Sequence, residues 1–457
     1  MPPTSPVLTG PTPFGPASSG PAPTSPADHR AWLETLTGDP AAELLGAALA
    51  ADGAALESWS VRQVYARPGA ELTVAYDVVA RREVGGRTIR GPEHLFATSA
   101  RASAFRRARG DREAGRDIDL GPGIVRLDDG ERTVHVWRHP HDPALPGLAA
   151  GSTPDGVAER LRAAGGTAAL LGLETVTYRP LRRAVLRART TDGAAYVKVV
   201  RPSRVDDLVR RHALFAARPG GSGGIAAPRV RSWSADGVVL LDEVAGESVA
   251  ALVARTPAAE QPACVDPAEL LRVATTLPRA GLALPRRPAW ADRSAHYLGA
   301  LATLHGVDAD RLARLRVAID AAVAAGDPGP LVVTHGDLHA ANLLLEPAGA
   351  GERPRVGAVL DVDTLGPGHL VDDLACAVAH LAVLPALDSV AYAGVDGLVE
   401  RCLDEFGRAA EPALLRARAA AVVVSLAAGA EDAATVAAFL AVAERLADQP
   451  TAQPTAV

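Results

Sequence analysis

Lysine and asparagine are almost missing from this chain of 457 residues. Of 47 basic side chains every one but Lys198 is arginine, and Asn342 is the sole asparagine. Cysteine is scarce too: Cys264, Cys376 and Cys402 stand at no metal-ligand spacing. A set so small and odd in number excludes a disulfide scaffold or a cysteine-ligated zinc centre, and it fits a reducing cytoplasm. The start of the chain lacks a basic segment followed by an apolar run, so a secretory leader is not expected. The apolar stretch 419–430 is too short to span a bilayer, and the stretch 374–387 is interrupted by His380 and Pro385. Both read as buried helices, and no membrane partner is expected. A net charge of −6 and a pI near 6.1 argue against nucleic acid as the partner.

The excess of arginine and alanine reads as mutational pressure from a high-GC genome. Under such pressure, a retained lysine or asparagine marks a role that arginine or aspartate cannot fill. Lysine is a compact point charge where arginine is a broad planar fork. Asparagine offers a neutral carbonyl oxygen where aspartate would add charge.

The first 27 residues and residues 448–457 are rich in Pro, Ser and Thr without apolar periodicity, and they read as disordered tails. Residues 28–53 carry a helical pattern around Trp32, Leu33, Leu36, Leu44 and Leu45. Strand-like segments follow at 61–65, 72–80 and 93–98, then a charged helical stretch at 104–116, then strands at 124–127 and 133–137. Much of this order returns downstream. The Tyr65-Ala66-Arg67-Pro68 segment resembles Tyr178-Arg179-Pro180, and residues 124–130 resemble 230–237. Two readings stay open: a degenerate duplication of a unit of about 110 residues, or two unrelated β-rich units. After residue 248 the pattern is mainly helical, interrupted by a β-like region at 331–365.

The chemistry-bearing residues lie in that interruption. His335-Gly336-Asp337-Leu338-His339-Ala340-Ala341-Asn342 sits between two apolar strands and fits the kinase catalytic-loop pattern H-x-D-L-x-x-x-N. Phosphoryl transfer needs a carboxylate beside the attacking hydroxyl and a neutral oxygen ligand for magnesium, and Asp337 and Asn342 have that spacing. Asp361 follows a buried strand and could reach the same metal. Asp363, two residues on, is a further candidate for a metal or substrate contact. Upstream, Lys198 lies on an alternating strand after a hairpin turn at Asp192-Gly193, where a lysine can pair with nucleotide phosphates.

Taken with Leu360-Asp361 and Asp373-Leu374-Ala375, this loop resembles that of the aminoglycoside phosphotransferases; choline kinases and maltokinases are similar. The resemblance covers about residues 165–445. It implies a two-lobed protein-kinase-like α+β fold, with a β-rich N-lobe at 157–247 and a mainly helical C-lobe at 248–447. An additional β-rich domain at 28–150 precedes them and reads as a cap. The resemblance also implies ATP and Mg2+ as cofactors. Asp337 would accept the proton of a substrate hydroxyl, and Asn342 and Asp361 would hold magnesium. Lys198 would contact the nucleotide phosphates, and Asp242, Glu243 and Val244 would form the hinge that meets adenine. His335, His339 and Asp373 would support the loop, His339 by bracing it or by touching substrate.

Two positions depart from the family pattern. The helix after the lysine strand has no glutamate to pair with Lys198; His212 stands near that place, with Asp206 and Asp207 as alternatives. The phosphate-covering loop is not glycine-rich, and residues 178–183 (Tyr-Arg-Pro-Leu-Arg-Arg) occupy it. The expected function is an ATP-dependent small-molecule kinase acting on an aminoglycoside, amino sugar, sugar or amino alcohol. The alternative is a catalytically silent pseudokinase that binds nucleotide or a partner.

Overall fold

The computed structural model describes residues 7–8, 26–65, 71–100, 123–128, 132–216, 224–346, 354–430 and 432–448. The charged stretch 104–116 lies outside the described residues. The chain forms two compact units, Met1–Asp206 with Val230–Glu243, and Asp207–Arg229 with Val244–Val457. The architecture is α+β, with the large sheets in the first unit and most helices in the second.

The first unit opens with β1 (Val7–Leu8), α1 (Pro26–Thr37) and α2 (Pro40–Ala50). Then come β2 (Ala54–Tyr65), β3 (Thr73–Val84), β4 (Arg87–Thr98), β5 (Ile124–Asp128) and β6 (Thr133–Arg138). After α3 (Leu148–Gly151) and α4 (Pro154–Ala163) follow β7 (Leu170–Arg179), β8 (Arg183–Thr190), β9 (Gly193–Val200), β10 (Val230–Trp233) and β11 (Val238–Asp242). The first sheet runs β1-β5-β6-β4-β3-β2 and the second β10-β11-β9-β8-β7. Without β1, the two orders are the same.

The correspondence extends to detail. β3 and β4 are joined through Gly85-Gly86, both at positive φ, and β8 and β9 by a hairpin of equal length. One bulge also falls at the same place: β2 opposite Val79 and Ala80, β7 opposite Val185 and Leu186. Counted from the hairpin turns, Lys198 opposite Val185 corresponds to Pro92 opposite Val79.

β2, β3 and β4 run well beyond the apolar alternation visible in the sequence. Their outer ends are held by the backbone ladder and by ion pairs such as Arg82–Glu93 and Arg90–Glu57, not by burial. In the second sheet Ala184, Leu186, Ala188, Val197 and Val199 face a core closed by Leu145, Leu148, Val157 and Leu161. Strand alternation puts Lys198 on the opposite face, where it is nevertheless buried.

The second unit contains α5 (Val205–Ala216), which begins at the boundary, then α6 (Val249–Arg255), α7 (Pro267–Thr275), α8 (Ser294–Leu304) and α9 (Ala309–Ala325). Two short ladders come next. β12 (Leu331–Thr334) pairs with β15 (Gly366–His369), and β13 (Leu343–Leu345) with β14 (Val356–Val359). The helices α10 (Leu370–Ala382), α11 (Leu384–Leu387), α12 (Val395–Phe406), α13 (Pro412–Ala427) and α14 (Ala433–Asp448) complete it. One described stretch, Leu370–Leu387, has the length and hydropathy of a membrane span, and 61% of it is buried inside the protein. α10 and α13 are apolar nearly all round because both sit at the centre of the core.

Candidate active site

The two ladders bring residues 335–342 and 360–365 together. Pairing of Leu343 with Val359, extended by the Leu360 amide donating to the Asn342 carbonyl (2.8 Å), sets Asn342 beside Leu360 and next to Asp361. Asp361, two residues beyond β14, is in the left-handed region (φ 54°) and opens a short 3-10 turn, which its side chain does not cap.

Asp373, in the first turn of α10, is fully buried. Its carboxylate accepts from the amides of His335 (2.7 Å) and Gly336 (2.8 Å). Burial pushes its pKa up to about 6, against the opposing pull of His335 and the two amides. Gly336 has φ 78°, and a Cβ there would stand about 3.0 Å from the Thr364 side chain. Thr364 in turn donates to the His335 carbonyl (2.8 Å). His335 is buried, with Nε2 2.8 Å from the Leu360 carbonyl, so that nitrogen carries the proton. The loop is thus tied to α10 at one side and to the 360–364 turn at the other.

Asn342 donates through Nδ2 to the Asp337 carbonyl (3.0 Å) and lies 3.0 Å from His339 Nε2. With the amide nitrogen engaged, the remaining atom is the neutral oxygen that a hard cation takes. Asn342 with Asp361 makes an oxygen donor set that fits magnesium. Asp363 is half-buried in the same 3-10 turn, and its carbonyl accepts from Arg287 (2.7 Å).

Asp337 is half-buried. Its Oδ2 lies 3.9 Å from His339 Nε2 and its Oδ1 3.9 Å from the Cys376 thiol. The ring of His339 stacks on His380 at 4.4 Å. Burial first, and then His335 for His339 and His339 for His380, lowers each imidazole to about 4, so both are neutral near pH 7. Burial and the Asp337 charge push the Cys376 thiol well up, which keeps it protonated.

Cys376 and His380 are the neighbours that reading the sequence missed. They lie three and seven residues after Asp373, on the same face of α10, and that helical spacing is the signal that could have found them. A second such group is Arg418 on α13, buried against Asp372 and 3.3 Å from Asp292.

The remaining candidates are placed as follows. Lys198 lies in β9 between Val185 of β8 and Val239 of β11. Asp242 pairs with Arg231, and Glu243 with Arg187 (2.8 Å). Val244 is half-buried in the segment after β11. His212 is buried on α5 with Nδ1 2.7 Å from the Pro228 carbonyl, while Asp207 pairs with Arg211 and Asp206 is exposed.

No curated protein matches the chain. Among solved structures, macrolide 2′-phosphotransferase MphH from Brachybacterium faecium is similar over 63% of this chain and 97% of its own, at 20% identity and a TM-score of 0.36. Aminoglycoside phosphotransferase APH(3″)-Id from Streptomyces rimosus, in complex with ADP and streptomycin, is similar over 63% and 96%, at 23% identity and 0.36. A choline/ethanolamine kinase family protein from Mesorhizobium loti is similar over 61% and 89%, at 18% and 0.38. The sequence profile of the phosphotransferase enzyme family matches residues 181–421, more than half of the chain, and on that match this protein belongs to the family.

Proposed function

We propose that this chain transfers the γ-phosphoryl group of ATP to a hydroxyl of a small molecule: an aminoglycoside, amino sugar, sugar or amino alcohol. The observation that carries the reading is the fastening of the 335–342 loop by Asp373. Two amide bonds from one buried carboxylate fix the backbone that presents Asp337 and Asn342.

Asp337 holds the acceptor hydroxyl and takes its proton as the oxygen attacks phosphorus. Of its neighbours, the His339 and His380 imidazoles are neutral near pH 7 and the Cys376 thiol is protonated, so none of these three adds a positive charge beside it. Asn342 and Asp361 would hold magnesium, which when bound neutralises charge on the transferring phosphoryl group. His335, His339 and Asp373 keep the loop in register. In the first unit, Lys198 contacts the nucleotide phosphates. The carboxylates of Asp242 and Glu243 are engaged by arginines, so adenine contacts in the 242–244 segment fall to its backbone.

The N-terminal domain at 28–150 reads best as a duplicate of the 157–247 N-lobe that has lost its nucleotide contact. The shared strand order and matching bulge support this, and Pro92 stands where the lysine would be.

The test is ADP release from Mg-ATP across aminoglycosides, amino sugars, maltose and choline, with Asp337→Asn as control. An acceptor-dependent signal that falls about 10²–10⁴-fold in the variant supports the assignment. A signal unchanged by the substitution overturns it.

A further inference from the structure

The carboxylate of Asp142 is almost fully buried in the segment between β6 and α3. Its Oδ2 accepts from the Leu181 amide (2.7 Å) and the Tyr178 hydroxyl (2.8 Å), and its Oδ1 from the Ala144 amide (2.8 Å). Burial raises its pKa, and the Leu181 amide and Tyr178 hydroxyl oppose the rise. A buried carboxylate is costly, and it persists where several donors hold it in one geometry.

Its main partner is an unusual residue. Leu181 is one of two described non-glycine residues at positive φ (61°) and sits in the turn joining β7 to β8. A left-handed leucine is strained and needs its surroundings to hold it. Here both backbone groups are gripped, the amide by Asp142 and the carbonyl by Arg201 Nε (2.7 Å). The leucine side chain is buried among Phe96, Trp137 and Ala144. Tyr178, two residues before the turn, meets Phe96 edge-on at 5.2 Å and accepts from Trp137 Nε1 at 3.2 Å. Phe96, Trp137 and Asp142 all belong to the N-terminal domain or the segment that leaves it.

We propose that Asp142 is a positioning residue through which the N-terminal domain locks the β7–β8 turn in its strained form and so sets the affinity for nucleotide phosphates. The inference rests on the ATP reading above, in which this turn is the phosphate-covering loop. A glycine-rich loop could close over phosphates by its own freedom; this turn lacks glycine and is held from outside. Apolar packing alone would join the domains without dictating φ at Leu181. A carboxylate that accepts from the Leu181 amide, and is itself fixed by the Tyr178 hydroxyl and the Ala144 amide, does dictate it.

The experiment uses the full chain and compares wild type, Asp142→Asn, Tyr178→Phe and, as a stability control, Leu44→Ala in the separate core of the N-terminal domain. Calorimetry gives Kd for Mg-ATP and for ADP, and hydrogen exchange follows residues 178–183. Asp142→Asn should weaken Mg-ATP about tenfold and speed exchange at Leu181. Tyr178→Phe should do the same to a lesser degree and stands in if the first variant fails to fold. Leu44→Ala should lower the melting temperature and leave both readouts unchanged. Equal loss of affinity in Leu44→Ala would reduce Asp142 to a structural contact and overturn the proposal. So would unchanged exchange and affinity in both turn variants. A wild type that binds neither nucleotide overturns the ATP reading and, with it, the nucleotide half of this inference; the exchange data still decide the lock itself.

Discussion

A proton on Asp373 would be taken up more readily by the folded chain than by the unfolded one, since its pKa rises from 3.8 to about 6 on folding. The sign follows from linkage. The contribution from this group is fully present below about pH 4 and is lost as pH rises through about 6, by about 3 kcal/mol in all. Asparagine does not titrate and can accept with one oxygen only. Urea melts of wild type and Asp373→Asn between pH 4 and 7 should therefore show any wild-type advantage shrinking as pH rises. A gap that does not change with pH would contradict the assignment. Gly336→Ala should cost about 1–3 kcal/mol in the same assay, because it forces a left-handed alanine against Thr364. Residue by residue, the scarce types were legible: Lys198 and Asn342 stood out by uniqueness and spacing. Cys376 and His380 did not, because their helical spacing from Asp373 marks a shared face of α10, while what sets them beside Asp337 and His339 is the packing of a loop on that helix.

Among the elements, the helices and the cores of the strands were readable from periodicity, and the ends of β2–β4 were not, because backbone ladders and surface ion pairs leave no apolar period. The segment between β6 and α4 escaped for another reason. Pro-Ala-Leu-Pro-Gly-Leu, residues 143–148, has no repeat of either type, yet Leu145 and Leu148 are fully buried beneath the second sheet. Gly147 fits there since a Cβ would strike Val238 and the Asp236 carbonyl. Cutting the chain at residue 150 would strip both leucines, each worth about 1.5–3 kcal/mol of burial. A fragment starting at 151 should be insoluble or melt well below one starting at 140, as thermal unfolding of the two would show; equal stability would contradict this packing.

For the whole molecule, a strand-rich unit and a helix-rich unit each have their own core, and the family profile crosses from one into the other. The order of strands in the two sheets of the first unit was half-visible as a weak sequence repeat. It becomes definite only in the hydrogen-bond topology, which diverged sequence does not record. Substituting Asn342→Ala should raise the magnesium needed for half-maximal activity about 10–100-fold while the melting temperature in EDTA moves little, as titration of MgCl2 would show. Phosphoryl transfer to a small-molecule hydroxyl is tested most directly by mass spectrometry of acceptor incubated with the protein and Mg-ATP. An acceptor from the aminoglycoside, sugar or amino-alcohol classes should gain one phosphoryl group with wild type and not with a folded Asp337→Asn. Phosphorylated product formed equally by that variant would contradict it.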